Sequence, residues 1–276
     1  MKPRLKPLQD QVVVITGASS GIGLATALAA ARRGARVVLA ARSTGTLDRV
    51  VAEITGDGGR VHSVTADVSD REQLERVADE AIGRFGRIDT WVNDAAVAIY
   101  GWLDEVSEED SRRLFDINFW GVVNGSLVAL LHLRHSSGAI INVGSEVSEA
   151  VVPLQGMYSA SKHAVKGFTD ALRVEVQEVR KLPVSISLIQ PTAVDAHTMA
   201  AEPTLPTPQI DPERVAEAIL KAAEHPTRDV RVGAMAALNT FLSRFAGRFG
   251  DKAAAKPANR QPLLEPPRSH GRELSE

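Results

Sequence analysis

Cysteine is absent from this chain of 276 residues, and its absence excludes whole classes of site. Without it there can be no disulfide framework, no thiolate metal site and no cysteine nucleophile, which suits a reducing compartment. An excess of one charge is also lacking. The 32 basic and 34 acidic residues give a net charge of −2, which offers no general attraction to nucleic acid or anionic lipid. We therefore expect no nucleic-acid partner.

Long apolar runs are missing as well. No uninterrupted stretch approaches the roughly eighteen residues of a membrane span. The basic opening MKPRLKPLQD is not followed by the apolar segment of a signal peptide. The sequence therefore predicts a cytoplasmic protein.

The chain does contain a strict alternation of β-branched runs and helical segments. The predicted strands are VVVIT, RVVLAA, RVHSVTADV, IDTWVN, GAIINVG and VSISLIQP, with a short seventh strand at 230–232. The predicted helices cover 21–34, 47–54, 71–84, 108–133, the segment around Tyr158, 212–223 and 234–249. This alternation predicts an α/β fold, a doubly wound parallel sheet of about seven strands with helices on both faces.

The predicted domain spans residues 11–250 and follows an N-terminal lead, residues 1–10. Four prolines interrupt the alternation between Thr192 and Pro212. They predict a mobile segment, 192–212, that covers the substrate rather than a packed element. The proline-rich tail, 251–276, is predicted to be disordered.

The first predicted strand runs directly into TGASSGIG, so its glycines stand where the strand gives way to a helix. Glycine suits this junction because the turn is tight, a pyrophosphate must approach the backbone closely, and the helix start offers unbonded N–H groups. The spacing G-x-x-x-G-x-G differs from the commoner G-x-G-x-x-G, and glycine-rich turns also occur where they only pack. In this context the turn predicts a dinucleotide site. Its contact residues are Gly17, Ser19, Ser20, Gly21, Ile22 and Gly23.

The end of the second strand carries Arg42 and no carboxylate. An acidic residue there would bind the ribose 2′-hydroxyl of NAD, whereas an arginine suits the 2′-phosphate of NADP. The sequence therefore favours NADP(H) over NAD(H). The alternative is a solvated loop arginine.

Two later strand ends supply further candidates. Asp67, beside Val68, can accept a hydrogen bond from an adenine amino group, or it can cap the next helix in competition with Ser69 and Asp70. Asn93 and Ala95 stand where the backbone can approach a cofactor, although Asn93 can also be an ordinary turn residue.

Ser145, Tyr158 and Lys162 form the spacing Ser-x₁₂-Tyr-x₃-Lys. Tyr158 and Lys162 are one helical turn apart and share a face. A phenol is a poor acid at neutral pH, but a neighbouring ammonium stabilises phenolate, and Ser145 can position a carbonyl oxygen. Taken alone, the pair also fits an amphipathic core helix with a snorkelling lysine. Asn118 interrupts the apolar FDINFWGV. It is either a helix-interior polar residue bonded to a backbone carbonyl, or it marks a locally opened helix that holds a water.

These motifs together resemble the short-chain dehydrogenase/reductase family of about 250 residues, over roughly residues 11–231. The resemblance implies a Rossmann-type fold, a nicotinamide cofactor and carbonyl–alcohol interconversion. It implies that Asn93 supports the sheet and that Pro191 and Val194 contact the nicotinamide amide. It also implies a homodimer or homotetramer that forms through the long helices. The implied catalytic tetrad is Asn118, Ser145, Tyr158 and Lys162.

The chain departs from the family pattern at two places. NDAA replaces asparagine-asparagine-alanine-glycine, so Asp94 and Ala96 are atypical, and Thr192 replaces a glycine after Pro191. Asp94 would repel a phosphate if it faced the cofactor, and we expect it to face away.

Other interpretations stay open at this point. One alternative is an NADP(H) sensor or scaffold without chemistry, and another is a reductase of carrier-bound acyl chains. The predicted pocket walls, 146–157 and 195–210, are apolar in their first stretch, which favours a hydrophobic carbonyl or alcohol substrate. The helix 234–249 has an apolar stripe with nearby arginines. Such a stripe usually marks core or a subunit contact, and less often a membrane surface.

Overall fold

The computed structural model describes residues 3–194 and 209–233. Several predictions fall on other residues. The helix 234–249, the tail 251–276 and the stretch 195–208 of the covering segment lie outside the described residues.

Strands and helices alternate along the described chain. The strands are β1 (Val12–Thr16), β2 (Arg36–Ala41), β3 (Arg60–Thr65), β4 (Thr90–Asn93), β5 (Gly138–Val143), β6 (Val184–Pro191) and β7 (Asp229–Val232). The helices are α1 (Gly21–Arg32), α2 (Thr44–Gly56), α3 (Arg71–Phe85), α4 (Glu108–Phe115), α5 (Gly121–Leu133), α6 (Gly156–Arg173) and α7 (Pro212–Glu224).

The seven strands form one parallel sheet in the order β3-β2-β1-β4-β5-β6-β7. Val14 of β1 pairs with Val38 on one side and with Trp91 on the other. The chain therefore leaves β1 in one direction and returns on its opposite side at β4. In such sheets a crevice opens at the carboxyl ends of the strands where the order reverses, so the edge beside β1 and β4 is the expected ligand site. The predicted fold class is confirmed.

Helices cover both faces of the sheet. Val13 and Ile15 pack on one face with α1, α2 and α7, while Val12 and Val14 pack on the other with α3, α5 and α6. All of β1 is therefore buried, because alternate side chains of a strand point to opposite faces. This burial explains its continuous β-branched sequence.

Local signals fix several helix ends. Asp70 caps α3 by accepting from the backbone N–H groups of Glu72 and Gln73, and Gly86 ends the same helix at φ 81°. The first N–H groups and the last carbonyl groups of a helix have no partner within the helix. The Asp70 carboxylate accepts from the former, and the left-handed Gly86 lets the backbone bond to the latter.

The stretch Glu108–Leu133 is helical throughout, and a π-helical turn, Asp116–Trp120, joins α4 to α5. Among the described residues this stretch alone is long and apolar enough to cross a membrane, which modifies the expectation that none exists. Since 61% of its apolar window is buried inside the protein, its environment is that of a core helix.

Candidate active site

The glycine turn lies directly after β1 and is closed by the segment after β4. Gly17 and Gly21 adopt positive φ values of 73° and 52°, where a side chain would be strained. A Cβ on Gly17 would lie 2.7 Å from the Ala95 backbone nitrogen. Thr16 Oγ1 accepts from the backbone N–H groups of Asp94 (3.1 Å) and Ala95 (3.4 Å), which fixes the two segments together.

The same turn has the features of a phosphate cradle. Ser20 occupies the N-cap position of α1, but its side chain makes no capping hydrogen bond. Ser19 lies in the turn, whereas Ile22 packs partly into the core. A Cβ on Gly23 would strike the Gly17 carbonyl, so this corner has room for backbone alone. A bare backbone at the positive end of a helix fits a dinucleotide pyrophosphate.

The adenosine side of the site would be formed by the ends of β2 and β3. Arg42 follows β2 directly and is partly exposed. Asp67 accepts from Ser69 N (2.9 Å), Ser69 Oγ (2.7 Å) and the Arg113 guanidinium. These donors hold the pKa of Asp67 below its ordinary value, although burial acts in the opposite direction.

Asp67 does not cap α3, because Asp70 does. The helix-cap alternative for Asp67 is therefore wrong, and contact with adenine stays a prediction. The Val68 side chain is buried in the core, so only its backbone is placed to meet a ligand.

Asn93 belongs to a buried ladder of polar side chains across the sheet. Its Oδ1 accepts from Trp91 Nε1 (2.8 Å), and its Nδ2 donates to Asn142 Oδ1 (2.8 Å) and Ser126 Oγ (3.1 Å). Asn142 in turn donates to Thr169 Oγ1 (2.9 Å). The Asn93 side chain thus joins β4 to its neighbours and does not reach the cofactor side. Only its backbone remains as a cofactor contact.

Asn118 lies within the π-helical turn, so the helix is locally widened there, while its amide also bonds a backbone carbonyl as the other alternative expects; the water stays a prediction. Its side-chain amide pairs with the backbone of Val97, accepting from the N–H (2.8 Å) and donating to the carbonyl (2.9 Å). It also donates to Ser161 Oγ at 3.2 Å. Asn118 therefore connects the segment after β4 to α6.

Ser145, Tyr158 and Lys162 meet at the carboxyl end of β5. Lys162 Nζ lies 5.7 Å from the centre of the Tyr158 ring and donates to the Val143 carbonyl at 3.0 Å. A hydrogen bond joins the side chains of Ser145 and Tyr158. Ser145 is held at the first turn after β5, where its Oγ accepts from Val147 N–H at 3.3 Å.

The pKa of Tyr158 is raised, contrary to the expectation that Lys162 lowers it. Burial is the main cause, and nearby Tyr100, Asp94 and Glu146 act in the same direction, while the bond to Ser145 opposes them. Burial also lowers the pKa of Lys162 to about 8. The phenol therefore stays protonated at neutral pH, because desolvation outweighs the cation beside its ring.

Asp94 faces the site, so the expectation that it faces away is wrong. Its carboxylate accepts from the Gly23 N–H, and Oδ2 is 2.8 Å from where a Gly23 Cβ would be. Burial raises the pKa of this carboxyl to about 7, although Lys162 and the Gly23 N–H lower it. The direction follows from strand alternation: the Asn93 side chain enters the ladder on one face, so the next side chain points to the other.

The segment after β6 brings Pro191, Thr192 and Val194 to the same edge. Pro191 pairs with Val232 in β7, and Val194 bridges to Ile210. The buried Thr192 side chain packs against Gly233, whose φ is +104°. The predicted nicotinamide contacts at Pro191 and Val194 stay predictions.

Sequence reasoning missed the segment that follows Val97. A β-bridge joins Gly101 to Gln155, and the Gly101 N–H donates to the Leu154 carbonyl at 2.9 Å. This bridge sets Tyr100 and the exposed Trp102 beside the loop that precedes Tyr158. The contact spans more than fifty residues, so no local sequence signal indicates it. Buried Glu146 lies next to Ser145 and was predicted only as part of a pocket wall.

Comparison with known families gives one match over most of the chain. The family described as short chain dehydrogenase matches residues 11–205. An uncharacterized oxidoreductase of Bacillus subtilis, YxnA, is 43% identical over 265 residues, which cover 92% of this chain and 74% of that protein. The 11-beta-hydroxysteroid dehydrogenase A of Sesamum indicum is 41% identical over 189 residues, 67% of this chain and 53% of that protein.

Two solved structures share the fold. An alcohol dehydrogenase from the archaeon Thermococcus sibiricus, complexed with 5-hydroxy-NADP, has a TM-score of 0.72 and 30% identity, and the alignment covers 80% of this chain and 94% of that one. A short chain dehydrogenase/reductase from Burkholderia phymatum in complex with NAD has a TM-score of 0.81 and 26% identity. The alignment covers 95% of this chain and 100% of that one.

Proposed function

This chain belongs to the short-chain dehydrogenase family and is an oxidoreductase of that family; from this premise we propose that it interconverts a carbonyl and a primary or secondary alcohol with NADP(H), using Tyr158 as the general acid and base. The observation that carries the proposal is the meeting of Ser145, Tyr158 and Lys162 at the sheet edge that also holds the glycine turn.

The dinucleotide would be held along this edge. The backbone from Gly17 to Gly23 fits the pyrophosphate, since a Cβ at Gly17 or Gly23 would occupy a crowded corner. Asp67 and Val68 would hold the adenine, and Lys162 would hold the nicotinamide ribose. When bound, the nicotinamide supplies or accepts the hydride.

The protein's own side chains would handle the proton. Tyr158 carries its proton at neutral pH, since its pKa is raised, and so it is ready to donate to a carbonyl oxygen. Ser145, bonded to the same phenol, would orient that oxygen. In the alcohol direction Tyr158 must first lose its proton, and the Lys162 ammonium would stabilise the phenolate.

Preference for NADP(H) rests on Arg42. Residues Ala40 and Ala41 end β2 without a carboxylate, and the arginine follows at once. A charge-assisted contact with a 2′-phosphate contributes about 1.5–3 kcal/mol. The similar solved structures hold both kinds of cofactor and so favour neither; the support for NADP(H) is the residue at position 42 of this chain.

The substrate would be an apolar carbonyl or alcohol. Trp102, Leu103 and Val151 are exposed large apolar side chains on the two segments joined by the Gly101–Gln155 bridge. Exposed apolar groups beside a site favour a hydrophobic ligand. The relative from Sesamum indicum is named for a hydroxysteroid, which is a ligand of this character.

Assembly and location are part of the same proposal. Trp120 of the π turn and Leu131 of α5 are exposed, on the long helical stretch through which we expect a homodimer or homotetramer to form. We place the enzyme in the cytoplasm.

A reductase assay tests the proposal. Wild-type protein is given aldehydes and ketones of rising apolar size, with NADPH and NADH in parallel. We expect turnover with an apolar member of the panel, and we expect Tyr158→Phe to lose about 10²–10⁴-fold or more in turnover while it keeps dinucleotide affinity. A thermal unfolding curve that matches wild type controls for misfolding. Turnover retained by Tyr158→Phe would overturn the role of the phenol.

A further inference from the structure

Asp94 is an acidic residue of the site that takes no part in the proposed proton transfer. Its carboxylate lies at the start of α1, where Oδ2 is 2.8 Å from the position of a Gly23 Cβ, and its charge acts on Lys162 of α6. Among the described residues, the groups that face it are the Gly23 N–H from α1, and Lys162 and Tyr158 from α6. On the β1 side its backbone N–H is bonded to the neutral Thr16 hydroxyl at 3.1 Å.

Lys162 is 2% exposed, and its buried ammonium needs a counter-charge. Its hydrogen-bond acceptor is the neutral Val143 carbonyl, at 3.0 Å. Asp94 is the acidic group whose charge favours the ammonium there. A buried cation without a nearby anion is strongly disfavoured, so the Asp94 carboxylate offsets part of that cost in the free protein.

A dinucleotide would change this balance, and this step rests on the proposed function. Its pyrophosphate carries two negative charges to the same glycine turn, whose Gly23 N–H Asp94 already occupies. Like charges in one site disfavour ionisation of the weaker acid. The Lys162 ammonium would meanwhile gain hydrogen-bond acceptors from the nicotinamide ribose that it is proposed to hold, and so would depend less on Asp94.

We propose that Asp94 is a proton-linked counter-ion for Lys162: in the free protein its carboxylate form is populated, and it is protonated from solvent when a dinucleotide enters the glycine turn. One proton moves from the buffer to a carboxylate oxygen, and no other bond is made or broken. The other oxygen can keep the bond from the Gly23 N–H. Asp94 is thus a positioning residue that makes cofactor binding depend on pH.

The ionisation of Asp94 already falls in the range where this linkage is measurable. Burial raises its pKa to about 7, so near neutrality about half of the free protein carries the carboxylate. Lys162, with a pKa of about 8, is mostly charged at that pH and contributes little uptake of its own.

Calorimetric titration tests the linkage. NADPH, and separately NADH, is titrated into wild-type protein at pH 7 in PIPES and in imidazole buffer, whose ionisation heats differ and which bring no phosphate to the site. We expect an uptake of about half a proton per site in wild type and clearly less in Asp94→Asn. Asp57→Asn, the same change at the exposed end of α2, is the matched control and should keep the wild-type uptake.

The dissociation constant gives a second readout. At pH 6 the Asp94 carboxyl is largely neutral, so wild type and Asp94→Asn should bind equally. At pH 8 the wild type must take up a proton, and Asp94→Asn should bind up to about tenfold more tightly. A ratio that stays constant from pH 6 to pH 8, or weaker binding by Asp94→Asn at every pH, would overturn the proposal.

The outcomes separate the two proposals. If wild type binds neither dinucleotide, the proposed function fails and this inference fails with it. If it binds with no proton uptake at pH 7, only the role of Asp94 is refuted, and that result needs no variant to fold.

Discussion

Asn93→Ala should destabilise the protein by about 2–4 kcal/mol while leaving every residue proposed for catalysis in place. The loss has two parts. Trp91, fully buried, would have no acceptor for its indole N–H, and an unpaired buried donor costs about 1–3 kcal/mol. Removal of the amide leaves a cavity between strands, which adds about 1 kcal/mol. Asn142 Oδ1 keeps its bond from Ser126 (3.2 Å) and so adds little to the cost.

Urea unfolding at one fixed protein concentration measures this change as a lower midpoint with an unchanged slope. Asn124→Ala is the matched control. Its amide makes only long contacts, 3.5 Å to the Val68 carbonyl and 3.4 Å to the Ser69 carbonyl, so we expect a loss below about 1 kcal/mol. Equal losses in the two variants would refute the reasoning that the ladder, rather than any asparagine removed from this region, stabilises the sheet.

Three further predictions concern the cofactor edge. Gly23→Ala would place a Cβ against the Gly17 carbonyl and 2.8 Å from Asp94 Oδ2, so dinucleotide affinity measured by calorimetry should fall about tenfold or more, whereas Gly83→Ala, on the open surface of α3, should leave it unchanged. Arg42→Ala should raise the KM for NADPH about 10–150-fold and change the KM for NADH much less; equal effects would contradict the 2′-phosphate contact. The pKa of Asp94 is raised, so between about pH 4 and pH 7 the folded state binds more protons than the unfolded state. The free energy of unfolding therefore falls as the pH rises through that range. Asp94→Asn should therefore resist urea better than wild type at pH 8 and equally below about pH 4, and a difference that does not vary with pH would contradict this.

The fold could be predicted because its signal is repeated along the chain. Each run of β-branched residues is a strand, and the seven strands differ from the predicted ones mainly at their ends. The strand predicted over RVHSVTADV stops at Thr65, since the chain turns at Asp67, where Ser69 bonds back to the carboxylate. Helix α2 begins at Thr44, three residues before the predicted start, because Ser43 and Thr44 carry no apolar periodicity to mark it.

The candidate site was only partly predictable. Ser145, Tyr158 and Lys162 follow from spacing on one strand and one helix, which sequence fixes well. The direction of Asp94 depends on the face that Asn93 uses, and the raised pKa of Tyr158 depends on burial and on four groups in the segments after β4 and β5. The Gly101–Gln155 bridge is a long-range contact with no local pattern. These properties arise from packing between segments that are far apart in the sequence, so the periodicity of one segment cannot predict them.

The π turn between α4 and α5 holds about one residue more than a regular helical turn, and the number of residues along this helix sets which side chains of α5 face the sheet. A regular helix advances about 100° per residue, so deleting one residue at the start of α5, where the turns are regular again, would rotate the rest of that helix by that angle. Gly121 and Gly125 now present bare backbone to Val68 and Asn93, which leave no space for a larger residue. After such a deletion, side chains would swing into both places. Shortening this helix by one position should therefore be more harmful than lengthening most surface loops by several.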